Sequence, residues 1–446
     1  MTPRINYFPK DLAKAVYKEL RQLKLAIPNI KILTNLFETL YFVSMQTEEQ
    51  NSISCYIVYI SPDNPDPKPP KRIVRDRWGY TKFAKSIPFT DSNLIKLARA
   101  SDPRTSAFAV YHNKEGDLYI WGLIDQANHY FDFLNYNSDS DPERPGIFQT
   151  SINKSGHIVV YVEYEKIAEL KINILTGKTL NVLEYGQVHE GLQPGFKNYY
   201  DTIYLKLRKE VRSELKWRDF LTEWEAYLTD TWISALNRLI LRIQSYGHGG
   251  AFLISPDKSF KNLNIKYRIK YKRLQNALEK YGLSELQEFY VSDIISTKYL
   301  NKKNVNIPTK LYLDDAIVKF EIEESRSEID GAIWFISLLS RVDGLVLLNQ
   351  QLEVEGFGVE IMCNTEPEEI FIDDDLYAND KNMRKISYEH FGTRHRSMMR
   401  YCSQYPGSLG FVISQDGEVR VMTQVKNRLV MWENIRLQRE FKRIRK

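Results

Sequence analysis

The densest run of chemically useful side chains is Gly392-Thr393-Arg394-His395-Arg396. Glycine relaxes the backbone where a helix must start. Thr393 is suited to capping that helix, which leaves unpaired N–H groups facing an anion. Arg394 and Arg396 supply forked donors that match phosphate oxygens. Histidine serves as a metal ligand or as an acid–base group near neutral pH, so His395 is a candidate for either. Arginines flanking a histidine at a helix start also occur as plain solvated surface, so the pentad needs company.

Two further clusters supply it. Asp343-Gly344 stands at the mouth of the apolar run Leu345–Leu348, where a carboxylate is poorly placed unless it caps a turn or binds something. The glycine beside it would let a ligand approach the backbone. By itself the pair also reads as a strand-initiating turn. Asp330-Gly331-Ala332 has a similar composition, but it lies inside a helical pattern over 326–340, which predicts an ordinary exposed Asp330. The third cluster spans Ser408 to Glu418. Ser414 ends a predicted strand, a favoured place for sheet ligands, and Gln415-Asp416-Gly417 forms the turn after it.

These residues need elements to hold them. At 446 residues the chain exceeds what one core usually organises, which predicts two or more domains. Strand patterns at 106–112 and 118–124 flank a glycine-containing turn. A strongly helical stretch covers 203–246, too long for one average helix, so a break is expected. The fold class read from this is α+β and multidomain. It has an N-terminal regulatory or sensor-like domain over 1–200, a long helical segment with a small α/β unit over 201–310, and a mixed sheet flanked by helices over 311–446. Gly249-Gly250-Ala251-Phe252-Leu253-Ile254 faintly echoes Asp343-Gly344-Leu345-Val346-Leu347-Leu348. Unrelated glycine turns are the plainer account of that echo, and an old duplication the alternative.

The net charge of +5 is small for this length. Basic runs at 206–218 and from Arg436 to Lys446 read first as solvated surface; a nucleic-acid contact is possible but not favoured. Three cysteines without ligand-like spacing, no secretory leader pattern and no membrane-length apolar run predict a cytoplasmic protein without a membrane partner.

Together the clusters resemble the catalytic domain of the diadenylate cyclases, the family typified by the bacterial DNA-integrity scanning protein. The resemblance rests on three ordered motifs within 343–422: Asp343-Gly344-Leu345, Gly392 through Arg396, and Gly407-Ser408-Leu409-Gly410-Phe411-Val412-Ile413-Ser414. It implies a diadenylate cyclase-like fold for 311–446 and condensation of two ATP molecules into cyclic di-AMP and two pyrophosphates. It implies Mg²⁺ or Mn²⁺ as cofactor and self-association that opposes two cyclase domains. By the same resemblance Asp343 and His395 are metal ligands, and Asp343, Gly344, His395 and Arg396 are catalytic. Leu345, Gly392, Thr393, Arg394, Arg396, Ser414 and Gln415 then line the nucleotide. His248-Gly249-Gly250 resembles sensor-like regions attached to such domains. Two departures stand out. Leu345 replaces a small alanine, which narrows the pocket beside the adenosine. Gln415-Asp416 replaces a pair of glutamates. The second reading is therefore a degenerate nucleotide or cyclic-dinucleotide sensor.

Overall fold

The computed structural model describes residues 6–25, 27–48, 51–65, 79–102, 105–125, 146–162, 165–177, 179–210, 217–300, 306–415 and 417–437. The basic tail beyond 437, residues 211–216 of the other basic run and Asp416 lie outside the described residues. The chain divides into two compact units, Met1–Thr179 and Leu180–Lys446. Both are α+β with a large mixed sheet.

In the first unit, helices α1 (Pro9–Gln22) and α2 (Ile30–Ser44) precede a short β1/β2 pair (Thr47–Glu48, Asn51–Ser52). Next come β3 (Cys55–Tyr59), β4 (Gly79–Pro88), α3 (Asp91–Ala98), β5 (Ser106–His112) and β6 (Leu118–Asp125). The unit ends with β7 (Phe148–Lys154), β8 (His157–Val162), β9 (Glu165–Lys171) and β10 (Ile174–Thr176). The sheet order is β10-β9-β8-β7-β3-β5-β6-β4, with β3 and β5 parallel. Leu12, Val16 and Leu20 recur at helical spacing and bury one face of α1. They join Leu36, Phe37 and Leu40 of α2 over Ile57, Phe108 and Phe148.

The second unit begins with α4 (Gly186–Glu210) and α5 (Trp217–Ser245); the break expected in the long helical stretch falls on 211–216, outside the described residues. β11 (Gly250–Ile254), β12 (Leu263–Tyr271), α6 (Arg273–Ile294) and α7 (Thr309–Leu339) follow. Then come β13 (Leu345–Leu348), β14 (Val354–Ile361), β15 (Ile370–Asp373), β16 (Met383–Ile386), α8 (Thr393–Gln404), β17 (Leu409–Ile413), β18 (Val419–Val425) and β19 (Arg428–Trp432). The sheet order is β12-β14-β13-β11-β17-β18-β19-β15-β16.

β11 is buried on both faces, which explains its unbroken apolar sequence. Ala251 and Leu253 meet Met398 and Cys402 on the α8 side. Phe252 and Ile254 meet the other helices, and Phe252 stacks on Phe411 with ring centres 4.5 Å apart. Truncating either ring to alanine removes about 3–5 kcal/mol of packing.

The structure corrects three expectations. β11 and β12 share a sheet with β13 and β14, so a boundary at 310 does not separate two units. The same holds for the boundary at 200, which falls inside α4. Asp330 is not an ordinary exposed residue; it is partly covered and forms an ion pair with the buried Arg238 of α5. Among the described residues no helix is long and apolar enough to cross a membrane.

Candidate functional site

Strand direction brings two of the three motifs to one end of the second sheet, and the third reaches it through Arg394, whose Nη1 lies by Gly249. β11 and β17 are antiparallel with Gly250 opposite Ile413, so β11 begins where β17 ends. β13 runs parallel to β11, with Phe252 beside Val346, so Asp343-Gly344 precedes β13 at that same end. β18 returns from β17 with Val419 opposite Ile413, which places the 414–418 turn there too. His248-Gly249 enters β11 at this end. That residue run therefore belongs to the frame of the site, not to an attached sensor region.

Asp343 is exposed, and its neighbourhood is charged. Lys266 pairs with Glu360 at 2.6 Å, and that bond, with a contribution from Asp343, holds the lysine above its ordinary value. Gly344 has φ +112°, and a Cβ there would lie 2.6 Å from the Gly358 carbonyl carbon. Glycine is required because the β14 backbone fills the space, not because a ligand does. Leu345 is buried between the sheet and α8, so its bulk over alanine is absorbed in the core.

The helix motif departs from expectation in one detail. Gly392 is the N-cap and no side chain caps α8; Thr393 is its first helical residue and is exposed. The first-turn N–H groups are the unpaired donors common to any helix start. Arg394 is exposed, and its Nη1 would lie 3.3 Å from a Cβ on Gly249 at that sheet end. Arg396 turns elsewhere: it and Arg400 lie 5.8 and 5.6 Å from the Tyr388 ring centre. Ser414 is half-buried, its N–H donating to the Glu418 carbonyl and its own carbonyl accepting from Gly417. Gln415 is exposed.

Arg420 is the functional neighbour that motif reading missed. Its Nη1 donates to His395 Nε2 at 3.2 Å, Nη2 to Glu418 at 2.6 Å and Nε to Glu433 at 2.5 Å. A guanidinium cannot accept, so Nε2 of His395 must, and the imidazole proton sits on Nδ1. Glu418 and Glu433 fix Arg420, and Arg420 fixes the ring. The signal available in sequence was the spacing Glu418-Val419-Arg420 at the entry to a strand, which puts both charged residues on one side.

The first unit has a different kind of cluster. His157 Nε2 lies 2.6 Å from Glu169, which also pairs with Lys166. Burial pushes the Glu169 carboxyl up, but the hydrogen bonds from His157 and Lys166 and the lysine charge outweigh it and hold it at about 2. Tyr59, fully buried, bonds His112 through its hydroxyl. Residues 22–125 match the family model of a probable sensor domain, DACNV. The match covers less than a quarter of the chain and runs from the end of α1 through β6. The DACNV segment thus supplies α2, α3 and the β3-β5-β6-β4 side of the first sheet. No curated protein and no solved structure matches the chain.

Among the described residues no three His, Cys, Asp or Glu side chains are grouped to hold a metal ion. Magnesium-type sites need only one or two carboxylates when substrate phosphates complete the shell, and the exposed Asp343 fits that pattern. His395 does not fit as a ligand in this arrangement, since one ring nitrogen accepts from Arg420 and the other carries the proton. An open groove of about 870 Å³ between α6 and α7, lined by Tyr271, Phe320, Glu324 and Phe335, lies away from this cluster and contains none of its residues.

Proposed function

We propose that the sheet end formed by Asp343, Arg394, His395 and Ser414 binds ATP with Mg²⁺ or Mn²⁺ and condenses two ATP molecules into cyclic di-AMP. The observation that carries this reading is the convergence of three separate sequence motifs on one end of one sheet, two through strand register and the third through Arg394 beside Gly249. The DACNV segment supports it, because that sensor domain is associated with diadenylate cyclases.

In this scheme Arg394, the first-turn N–H groups of α8 and the Ser414–Gln415 turn hold the phosphates. His395 lies next in the motif to Arg394, its ring positioned by Arg420. Asp343 would hold the cation and accept the proton of the ribose 3′-hydroxyl as that oxygen bonds the α-phosphorus of the second ATP and the bond to pyrophosphate breaks, and the reciprocal attack closes the ring. A cation held there would neutralise charge on the departing pyrophosphate. Each site holds one ATP, so ring closure requires two copies of the chain with sites opposed. Leu180–Lys446 carries this chemistry, and Met1–Thr179 regulates it.

Pyrophosphate release by the full chain tests the reading. Turnover that rises steeply with self-association and depends on Mg²⁺ or Mn²⁺ is the expected result. Constant specific activity in a chain shown by sedimentation to be monomeric would overturn the opposed-site scheme. Tight ATP binding without pyrophosphate release would favour the sensor alternative, with Gln415 the first residue to examine.

A further inference from the structure

Gly249 occupies the middle of the cluster. The parallel register pairs Phe252 with Val346 and Leu253 with Leu347. Carried back along both strands, it sets Gly249 level with Asp343. On the other side of β11, Gly250 faces Ile413, so Gly249 lies against the β17 end. A Cβ on Gly249 would sit 2.9 Å from the Ile413 carbonyl oxygen, 3.2 Å from the Gln415 amide nitrogen and 3.3 Å from Arg394 Nη1. The first two distances involve backbone, which cannot swing aside as a side-chain tip can. Gly249 also has φ +74°, where side chains are strained. Two motifs distant in sequence therefore approach each other across a missing side chain.

We propose that Gly249 is a positioning residue for the phosphate cradle: its bare backbone lets the Arg394 guanidinium and the Gln415 amide close on the same anion. This rests on the nucleotide reading above and adds a determinant to it. The ligand part concerned is the polyphosphate, not the base. The echo between Gly249-Gly250 and Asp343-Gly344 gains a physical content here. The two strands run side by side, and where β13 is preceded by a carboxylate, β11 must be preceded by nothing, because an arginine lies over it.

The molecule contains its own control. Gly247 has φ +68°, and a Cβ there meets nothing within 4 Å. Asparagine tolerates positive φ better than other side chains, so Gly249→Asn and Gly247→Asn carry similar backbone cost but differ in crowding. Gly249→Ala and Gly247→Ala form a second pair. Calorimetric titration of the full chain with Mg·ATP and with inorganic triphosphate reads the effect. Both Gly249 variants should weaken both ligands by about tenfold or more, while the Gly247 variants stay near wild type. In an Arg394→Ala background the Gly249 substitutions should add a smaller loss, the part carried by the Gln415 amide.

Equal affinities in the Gly247 and Gly249 variants would overturn the proposal, as would a loss for ATP without one for triphosphate. Failure of both Gly249 variants to fold, with both Gly247 variants folded, would make Gly249 a framework residue and overturn it too. A wild type that binds neither ligand instead removes the nucleotide reading itself.

Discussion

The two units treat their charged groups in opposite ways. In Met1–Thr179, Glu169 is covered and engaged by His157 and Lys166, so its charge is satisfied within the fold. In Leu180–Lys446, Asp343 and Arg394 stand exposed at one sheet end, while Arg420 is held by Glu418, Glu433 and His395. Internally satisfied charge contributes to stability and titrates with it. Charge gathered at a surface and braced from behind contributes little to folding and remains available to a ligand. The second unit contains both kinds, since Arg238 and Asp330 pair between its helices.

Substitutions on either side of that division should separate turnover from stability. The largest expected effect is Asp343→Asn, which should lower ATP turnover on the order of 10²–10³-fold because an amide is a poor cation ligand. Its melting temperature should stay at the wild-type value, because Asp343 is exposed. A substantial drop in melting temperature would move Asp343 to the structural side. Arg394→Ala comes next, with about 2–4 kcal/mol lost from ATP binding, read by titration calorimetry; unchanged affinity would remove Arg394 from the cradle.

Asp330→Asn should behave in the opposite sense. It leaves the buried Arg238 without its counter-charge, a loss of about 3 kcal/mol in urea unfolding, while the folded fraction keeps its turnover. Loss of turnover at full stability would mean that Asp330-Gly331, and not Asp343-Gly344, is the functional pair.

The smallest effect is a pH dependence in the first unit. Glu169 is held at about 2, below the ordinary glutamate value of 4.5. Its contribution is therefore fully present above about pH 4.5 and is lost as the pH falls toward 2. Glu169→Gln should flatten the acid limb of the stability curve in that window. An acid limb identical in wild type and variant would show that the pairing contributes nothing there.

Local patterning made much of this readable. Met398, Met399 and Cys402 mark the buried side of α8, and Gly392 marks its start. The strands after Asp343-Gly344 and before Ser414 follow from short apolar runs ended by turn residues. What depended on distant partners was not readable. Whether Asp330 meets water or Arg238 is decided by how α5 packs on α7, some ninety residues apart in sequence. Arg396 carries the same motif as Arg394, yet Tyr388 draws it to another surface. Gly249 was visible only as part of a faint echo and of a sensor-like resemblance, because its significance lies in β17 and α8 coming to it across the sheet.

The most direct measurement is mass spectrometry of the nucleotide product formed by the purified full chain with ATP and Mg²⁺ or Mn²⁺. Cyclic di-AMP with two pyrophosphates per ring, abolished in Asp343→Asn, is the predicted result. A chain that binds ATP with either cation yet returns it unchanged would contradict catalysis at this sheet end.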